Sequence, residues 1–220
     1  MEYGYWGIKA LAEPARWLIA YFKLECTQWM CNEDTEWFGS KNESLGLDFP
    51  NLPYLIDGDF KLTESSAIPG YLASKAGRED FNGEGPKERA TLRMLEGVFG
   101  DFKKELSDFY YSETEHKANW EKFLTEGTEG YYLLHKLSKY LGEKEYLLGH
   151  ITNIDVSVAY YLWMMDCISA SLHTQKVQPF ENLRKLSERV RALPGIKEWI
   201  EANKHVPFMS PGYLKFEILQ

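Results

Sequence analysis

Cysteine is scarce in this chain: three residues in 220, at Cys26, Cys31 and Cys167. An odd number at those spacings gives neither a disulfide framework nor a metal-ligand pattern, so free thiols in a reducing compartment are expected. The five histidines (His116, His135, His150, His173, His205) are scattered, with no H-E-x-x-H or similar spacing, so no metal site is expected. No run approaches the ~18 consecutive apolar residues of a membrane-spanning helix. Basic residues are outnumbered, 25 against 33 acidic, and the net charge of −8 argues against non-specific nucleic-acid binding and against an anionic membrane surface. The opening MEYGYWGIKALAEPARW lacks a basic stretch followed by an apolar run, so no signal peptide is expected. Neither internal repeats nor low-complexity segments occur.

The chain does have apolar and aromatic residues, at 44% and 15%, enough for one large core or two small ones. Tyr3–Ile8 reads as a first strand and Ala10–Phe22 as a helix, with Leu11, Ala15, Leu18, Ile19 and Phe22 at helical spacing and Pro14 tolerated in its first turns. Glu25–Met30 reads as a second strand and Asn32–Ser44 as a polar loop carrying Trp37, Phe38 and Lys41. Gly77–Lys87, rich in glycine and charge, reads as a linker. Beyond it the pattern is helical. One long helix runs through Leu92–Phe109, a second spans Trp120–Leu141, and a strongly apolar one covers Val156–Leu172 behind a Thr152-x-x-Asp155 capping segment. Phe180–Val190 and Gly195–Ala202 follow, then an irregular aromatic tail.

The most informative stretch is Leu45–Ile68, LGLDFPNLPYLIDGDFKLTESSAI. Asp57-Gly58 between the alternating runs Tyr54–Asp57 and Phe60–Thr63 is a hairpin signal. The Ser65-Ser66 pair reads as the N-cap of a helix reaching about Ala76. Pro53 belongs at a strand edge or bend. Leu52 beside it would offer its backbone N–H and C=O to an extended peptide, and the helix start would suit a carboxylate. Together they would cradle a short acidic peptide. The alternative is an ordinary strand–hairpin–helix connection.

Asn51-Leu52-Pro53 followed by Glu64-Ser65-Ser66-Ala67-Ile68, ahead of an all-helical half, resembles the cytosolic glutathione transferases. The wording LGLDFPNLPYLIDGD, with Gly4-Tyr5-Trp6 at the start, resembles the mu class in particular. The resemblance covers essentially the whole chain. It implies a thioredoxin-like α/β domain over residues 1–77, a linker over 78–87 and an all-helical domain over 88–220 carrying a cleft for hydrophobic substrates. It implies a cytoplasmic homodimer that conjugates glutathione, as co-substrate with no further cofactor, to hydrophobic electrophiles.

Residue by residue, the resemblance makes Tyr5 catalytic, its phenol donating to the glutathione sulfur and so favouring thiolate. Leu52, ahead of a cis Pro53, would pair with the cysteinyl backbone, with Asn51 against the same tripeptide. Ser65 would bind the γ-glutamyl carboxylate. Glu64, where the mu class has glutamine, would accept from the γ-glutamyl ammonium, as would Asp101 from the partner subunit. Trp37 and Lys41 would meet the glycyl carboxylate. Trp6 and Leu11 would border glutathione and, with Tyr111, line the electrophile cleft. Phe49 would anchor the dimer. Two departures from the family stand out: the Cys26–Glu36 segment is short and acidic, and an extra residue falls between Lys41 and Leu45. A ligand-binding or structural protein of the same fold, or a glutathione-dependent isomerase, are the alternative functions. Without the resemblance, Tyr5-Trp6 reads as a core pair and Lys41 and Asp101 as surface charges.

Overall fold

The computed structural model describes residues 1–110, 116–123, 125–174, 180–209 and 218. The chain divides into two compact units, one formed by Met1–Glu79 with Leu193–Met209 and the other containing Asp80–Ala192.

In the first unit, strand β1 (Glu2–Trp6) leads through a 3-10 turn at Ala10–Ala12 into α1 (Glu13–Tyr21), which crosses over to β2 (Thr27–Cys31). β2 lies parallel to β1, with Tyr5 opposite Met30. β3 (Tyr54–Asp57) and β4 (Phe60–Thr63) form the expected hairpin, and Gly58 in its turn has φ +65°. The sheet order is β2-β1-β3-β4, with β1 and β3 antiparallel. α1 takes Pro14 in its first turn, where a missing N–H is harmless, and buries nearly its whole surface. The alternation of β1 sends Glu2, Gly4 and Trp6 to one face and Tyr3 and Tyr5 to the other. Gly4 is required there, because a Cβ would sit 2.1 Å from the Tyr54 ring.

Several boundaries differ from the sequence reading. β1 stops at Trp6, and the helix proper starts at Glu13. The stretch read as a polar loop is helical: α2 (Asp34–Glu36), a π-helical turn (Trp37–Lys41) and α3 (Asn42–Ser44) run on from one another. Its wide turn is closed by the Asn42 N–H donating to the Trp37 carbonyl. The helix α4 (Ile68–Lys75) is not capped by a serine. Its N-cap is Ala67, Pro69 follows in the first turn, and Ser65-Ser66 form the turn ahead of it.

The stretch read as a linker is folded too. Glu79–Asn82 is a 3-10 helix with Phe81 fully buried, and α5 starts at Gly85. The second unit consists of α5 (Gly85–Tyr110), α6 (His116–Phe123), α7 (Glu129–Leu141), α8 (Asn153–Ser171) and α9 (Glu181–Arg191). The single helix expected over Trp120–Leu141 is two, broken where Gly127 takes φ +97° and Thr128 caps α7 through its hydroxyl. α8 is apolar all round and almost entirely buried, as the central member of a bundle must be. Leu193–Met209 groups with the first unit, where α10 (Ile196–Ala202) packs on α1. Among the described residues no helix is long and apolar enough to cross a membrane.

Candidate active site

The site is built on the end of β1 and on the ribbon between β3 and α4. Gly4 pairs with Tyr54 across the β1–β3 ladder. That is the last pair of the ladder, so Tyr5 and Pro53 lie directly beyond the same end of it. The Leu52–Pro53 peptide is cis. The tyrosine ring is buried, 5% exposed, on the face it shares with Tyr3. Tyr3 donates its hydroxyl to the Ala12 carbonyl (3.2 Å), and burial pushes that phenol well above the usual range.

Around Pro53 the polar groups form a short chain of hydrogen bonds. The Leu52 N–H, expected to be offered to an extended peptide, instead donates to Asn51 Oδ1 (2.9 Å), and Asn51 Nδ2 donates to Glu64 Oε1 (3.2 Å). A carboxylate only accepts, so Glu64 fixes which way the Asn51 amide points. Glu64 itself has φ +76°, a left-handed conformation that costs a non-glycine residue about 1–2 kcal/mol. Its carbonyl closes the turn, accepting from the Ala67 and Ile68 N–H groups (3.0 and 3.2 Å). Ser65, half-buried in that turn, has an N–H and a hydroxyl that carry no hydrogen bond among the described residues. The β3–β4 turn is tied to α4. Asp57 accepts from the Tyr71 hydroxyl (2.6 Å) and pairs with Lys75 (2.7 Å). Lys75 and then Tyr71 hold the Asp57 carboxyl below its usual range, and the same bond lifts Tyr71 to about 12.

The loop after β1 is held by charges that the sequence reading did not single out. Arg16, buried on α1, donates to the carbonyls of Ile8 (2.6 Å) and Trp6 (3.4 Å) and faces Glu13 at 3.5 Å. Glu13 in turn accepts from the indoles of Trp17 (3.1 Å) and Trp199 (3.0 Å). Lys9, fully buried, donates to the carbonyls of Asn203 (3.0 Å) and Val206 and lies over the Phe208 ring. The backbone N–H groups of Lys9 and Ala10 donate to Pro207 and Phe208 (2.8 and 2.9 Å). Residues 203–208 therefore act as a strap over the segment that carries Leu11, which is 42% exposed. A signal was present in the sequence: Glu13 and Arg16 interrupt an apolar helix three residues apart, beside Trp17.

Trp37 and Lys41 turn toward the sheet. Trp37 is 4% exposed and stacks on Tyr54 at 6.1 Å. Lys41 Nζ lies 4.3 Å over the Trp29 ring and 3.6 Å from Glu2, which also accepts from the Tyr54 hydroxyl (2.5 Å). Burial, then the bond to Glu2, raises the Tyr54 phenol. The neighbouring side chain points the other way. Phe38 is 66% exposed, and its ring meets that of half-buried Trp6 at 6.2 Å. Phe49 is the most open of the large apolar side chains among the described residues, at 79%. Asp101 is exposed on α5 of the second unit. Tyr111 lies outside the described residues. Burial pushes the Cys26 and Cys31 thiols up, so neither is a ready nucleophile.

Comparison with known proteins accounts for this assembly. The glutathione S-transferase N-terminal domain matches residues 1–74 and its C-terminal domain matches residues 100–203. A class-mu 26 kDa glutathione S-transferase isozyme from Fasciola hepatica is 35% identical over 92% of this chain and 89% of its own length. The class-mu 26 kDa isozyme of Schistosoma japonicum is 34% identical over 96% and 92%. Among solved structures, the Pi-class glutathione S-transferase of Onchocerca volvulus shares the fold with a TM-score of 0.79 at 23% identity, covering 97% of this chain and 99% of that one. The chain belongs to the glutathione S-transferase family and is similar to its class-mu members.

Proposed function

We propose that this protein transfers glutathione, as co-substrate, to hydrophobic electrophiles in the cytoplasm. The observation that carries this reading is that Tyr5 and the cis Pro53 lie directly beyond the same end of the β1–β3 ladder, beside a ribbon whose Ser65 donors carry no hydrogen bond among the described residues. An extended peptide bound along Leu52 brings its cysteinyl sulfur to the end of β1. Its carboxylate end meets the Ser65 hydroxyl and N–H, and its ammonium meets Glu64 and the partner subunit's Asp101.

Glutathione thiol is only a few per cent ionised at pH 7. A phenol that donates to sulfur stabilises the thiolate without accepting its proton. The thiolate then attacks the electrophilic carbon, and the leaving group departs with its electron pair. Lowering the thiol pKa by about two pH units corresponds to ~2.7 kcal/mol of preferential thiolate stabilisation. Titration of bound glutathione by thiolate absorbance tests this. The wild type ionises well below the free tripeptide and Tyr5→Phe returns toward it; equal titration of the two proteins rejects the role of Tyr5.

The working form in this reading is a homodimer. An aromatic ring as exposed as Phe49 is a characteristic anchor for a two-fold interface. Sedimentation at sub-micromolar concentration should find wild-type dimer and largely monomeric Phe49→Ala. Unchanged association of the variant removes Phe49 from the interface.

A further inference from the structure

We infer that Lys9 is a positioning residue for the transfer reaction. Its buried ammonium fastens the strap 203–208 onto the turn that follows β1, and the fastened turn holds Tyr5 in place. This rests on the glutathione-transferase reading and deepens it.

The turn from Trp6 to Ala12 leaves the end of β1 just after Tyr5, and its backbone is tied down bond by bond. The Gly7 N–H donates to the Cys31 carbonyl (2.7 Å). The Trp6 and Ile8 carbonyls accept from Arg16 (3.4 and 2.6 Å). The Lys9 carbonyl accepts from the N–H groups of Ala12 and Glu13 (3.0 and 3.1 Å). The N–H groups of Lys9 and Ala10 donate to the strap, at Pro207 and Phe208 (2.8 and 2.9 Å). Within this turn Ala10 has φ +31°, a conformation that a non-glycine residue keeps only where its surroundings impose it. Strain of this kind collects where a geometry must be fixed before a ligand arrives.

What imposes it on Ala10 is the strap, and the strap is fastened by a charge. Lys9 is fully buried, and among the described residues no other lysine is buried. Its ammonium donates to the carbonyl of Asn203, where α10 ends (3.0 Å), and to that of Val206, and it lies 5.2 Å from the centre of the Phe208 ring. Carbonyls at a helix C-terminus point outward and carry the negative end of its dipole, so they favour a cation. The fold alone does not call for one. A buried ammonium costs more than an apolar side chain of the same length, and exchanging buried charges for apolar groups is often neutral or stabilising. What the charge adds is alignment. Two carbonyls and one ring face fix where the strap lies along the turn, and an apolar side chain fills the same volume without choosing. Glu13 holds α10 separately, by accepting from the Trp199 indole (3.0 Å), so loss of Lys9 frees the strap without undocking α10.

Glu64 and Ser65, which take the γ-glutamyl end in this reading, lie on a separate ribbon. Loosening the strap should therefore spare the grip on the tripeptide and change what Tyr5 does to its sulfur. The test compares wild type with Lys9→Met, which keeps the stem and removes the charge, with Lys9→Arg, which restores a charge, and with Phe208→Leu, which loosens the strap from its own end. Hydrogen exchange at the amides of residues 9 and 10 reads the fastening, and we expect it to rise at least about tenfold in Lys9→Met. Thiolate absorbance reads the bound glutathione, whose pKa should rise by about one pH unit, a tenfold loss in its ionisation constant. Calorimetry with S-methylglutathione should find affinity within about twofold of wild type. Lys9→Arg should recover part of both losses, and Phe208→Leu should reproduce both in a milder form. Unchanged exchange in Lys9→Met overturns the fastening. Faster exchange or lower stability with an unmoved thiol pKa makes Lys9 structural only and overturns the positioning role. If Lys9→Met does not fold, Phe208→Leu decides by the same two readings. If wild-type enzyme ionises bound glutathione no more readily than water does, the transferase reading fails, and exchange still decides whether Lys9 fastens the strap.

Discussion

Two helices of this protein begin after a polar turn, and they use it in opposite ways. At the start of α8 the turn is closed on itself. The Asp155 carboxylate accepts from the Leu147 N–H (2.8 Å), the Thr152 N–H (2.8 Å) and the Thr152 hydroxyl (2.7 Å), and Thr152 and Asp155 are fully buried. At the start of α4 the turn is left open. Glu64 is exposed and left-handed, and among the described residues Ser65 keeps its donors unspent and no side chain caps the helix. In the helical unit the Leu147 and Thr152 donors are spent on Asp155. In the sheet unit the Ser65 N–H and hydroxyl carry no hydrogen bond among the described residues, so those two donors are left for an anion.

The largest expected effect comes from breaking the closed turn. Asp155→Ala strands three buried donors and should lose about 3 kcal/mol of stability in urea unfolding. Ser65→Ala, by contrast, should change stability by less than about 0.5 kcal/mol, as surface changes do. It should weaken glutathione about tenfold, the loss of one hydrogen bond to a charged group. A Ser65→Ala variant that unfolds as readily as Asp155→Ala, with glutathione affinity intact, would erase the distinction between the two turns.

A smaller effect sharpens the comparison through pH. Burial pushes the Asp155 carboxyl up to about 6, against the downward pull of the Leu147 and Thr152 donors. In the unfolded chain it titrates near 4. Between those values the folded protein holds a proton that the unfolded chain has released. The stabilisation is therefore full below about pH 4 and is lost as pH rises through about 6. Asp155→Asn has no such proton. Its stability deficit relative to wild type should be about 2 kcal/mol larger at pH 4.5 than at pH 7. A deficit that does not change with pH contradicts a raised carboxyl.

The contrast also marks what could be read from the residues. The Tyr54–Thr63 hairpin and the Thr152–Asp155 cap are local: a few adjacent residues carry the whole instruction, and both appear as expected. The break between α6 and α7 was equally local, in Gly127-Thr128, but the apolar period on either side masked it. The helical run from Asp34 to Ser44 was not legible, because it rests on one inward Trp37 meeting Tyr54, a contact that no local pattern announces. In the site, the ribbon from Asn51 to Ser65 stood out through its family resemblance. Lys9, Glu13 and Arg16 did not, since charged residues at the start of a short helix read as surface until residues 203–208 are known to cover Lys9, and Trp199 to meet Glu13.

The smallest effect bears on whether the open turn carries backbone strain. At position 64 an alanine and a glycine both lack the carboxylate, so their difference isolates the backbone. With φ at +76°, glycine should be the more stable by about 1 kcal/mol, because it adopts the left-handed region freely. At Lys136, exposed in the interior of α7, the same pair should reverse, alanine being the more stable by about 1 kcal/mol. Opposite signs at the two sites, measured by thermal unfolding, would show that the ribbon holds a conformation its own residue disfavours. Strain of this kind persists only where the surroundings over-determine it, and at a binding site it fixes the ligand-facing groups before the ligand arrives. If both positions favour alanine, Glu64 is relaxed, and the open turn differs from the closed one only in what its donors face.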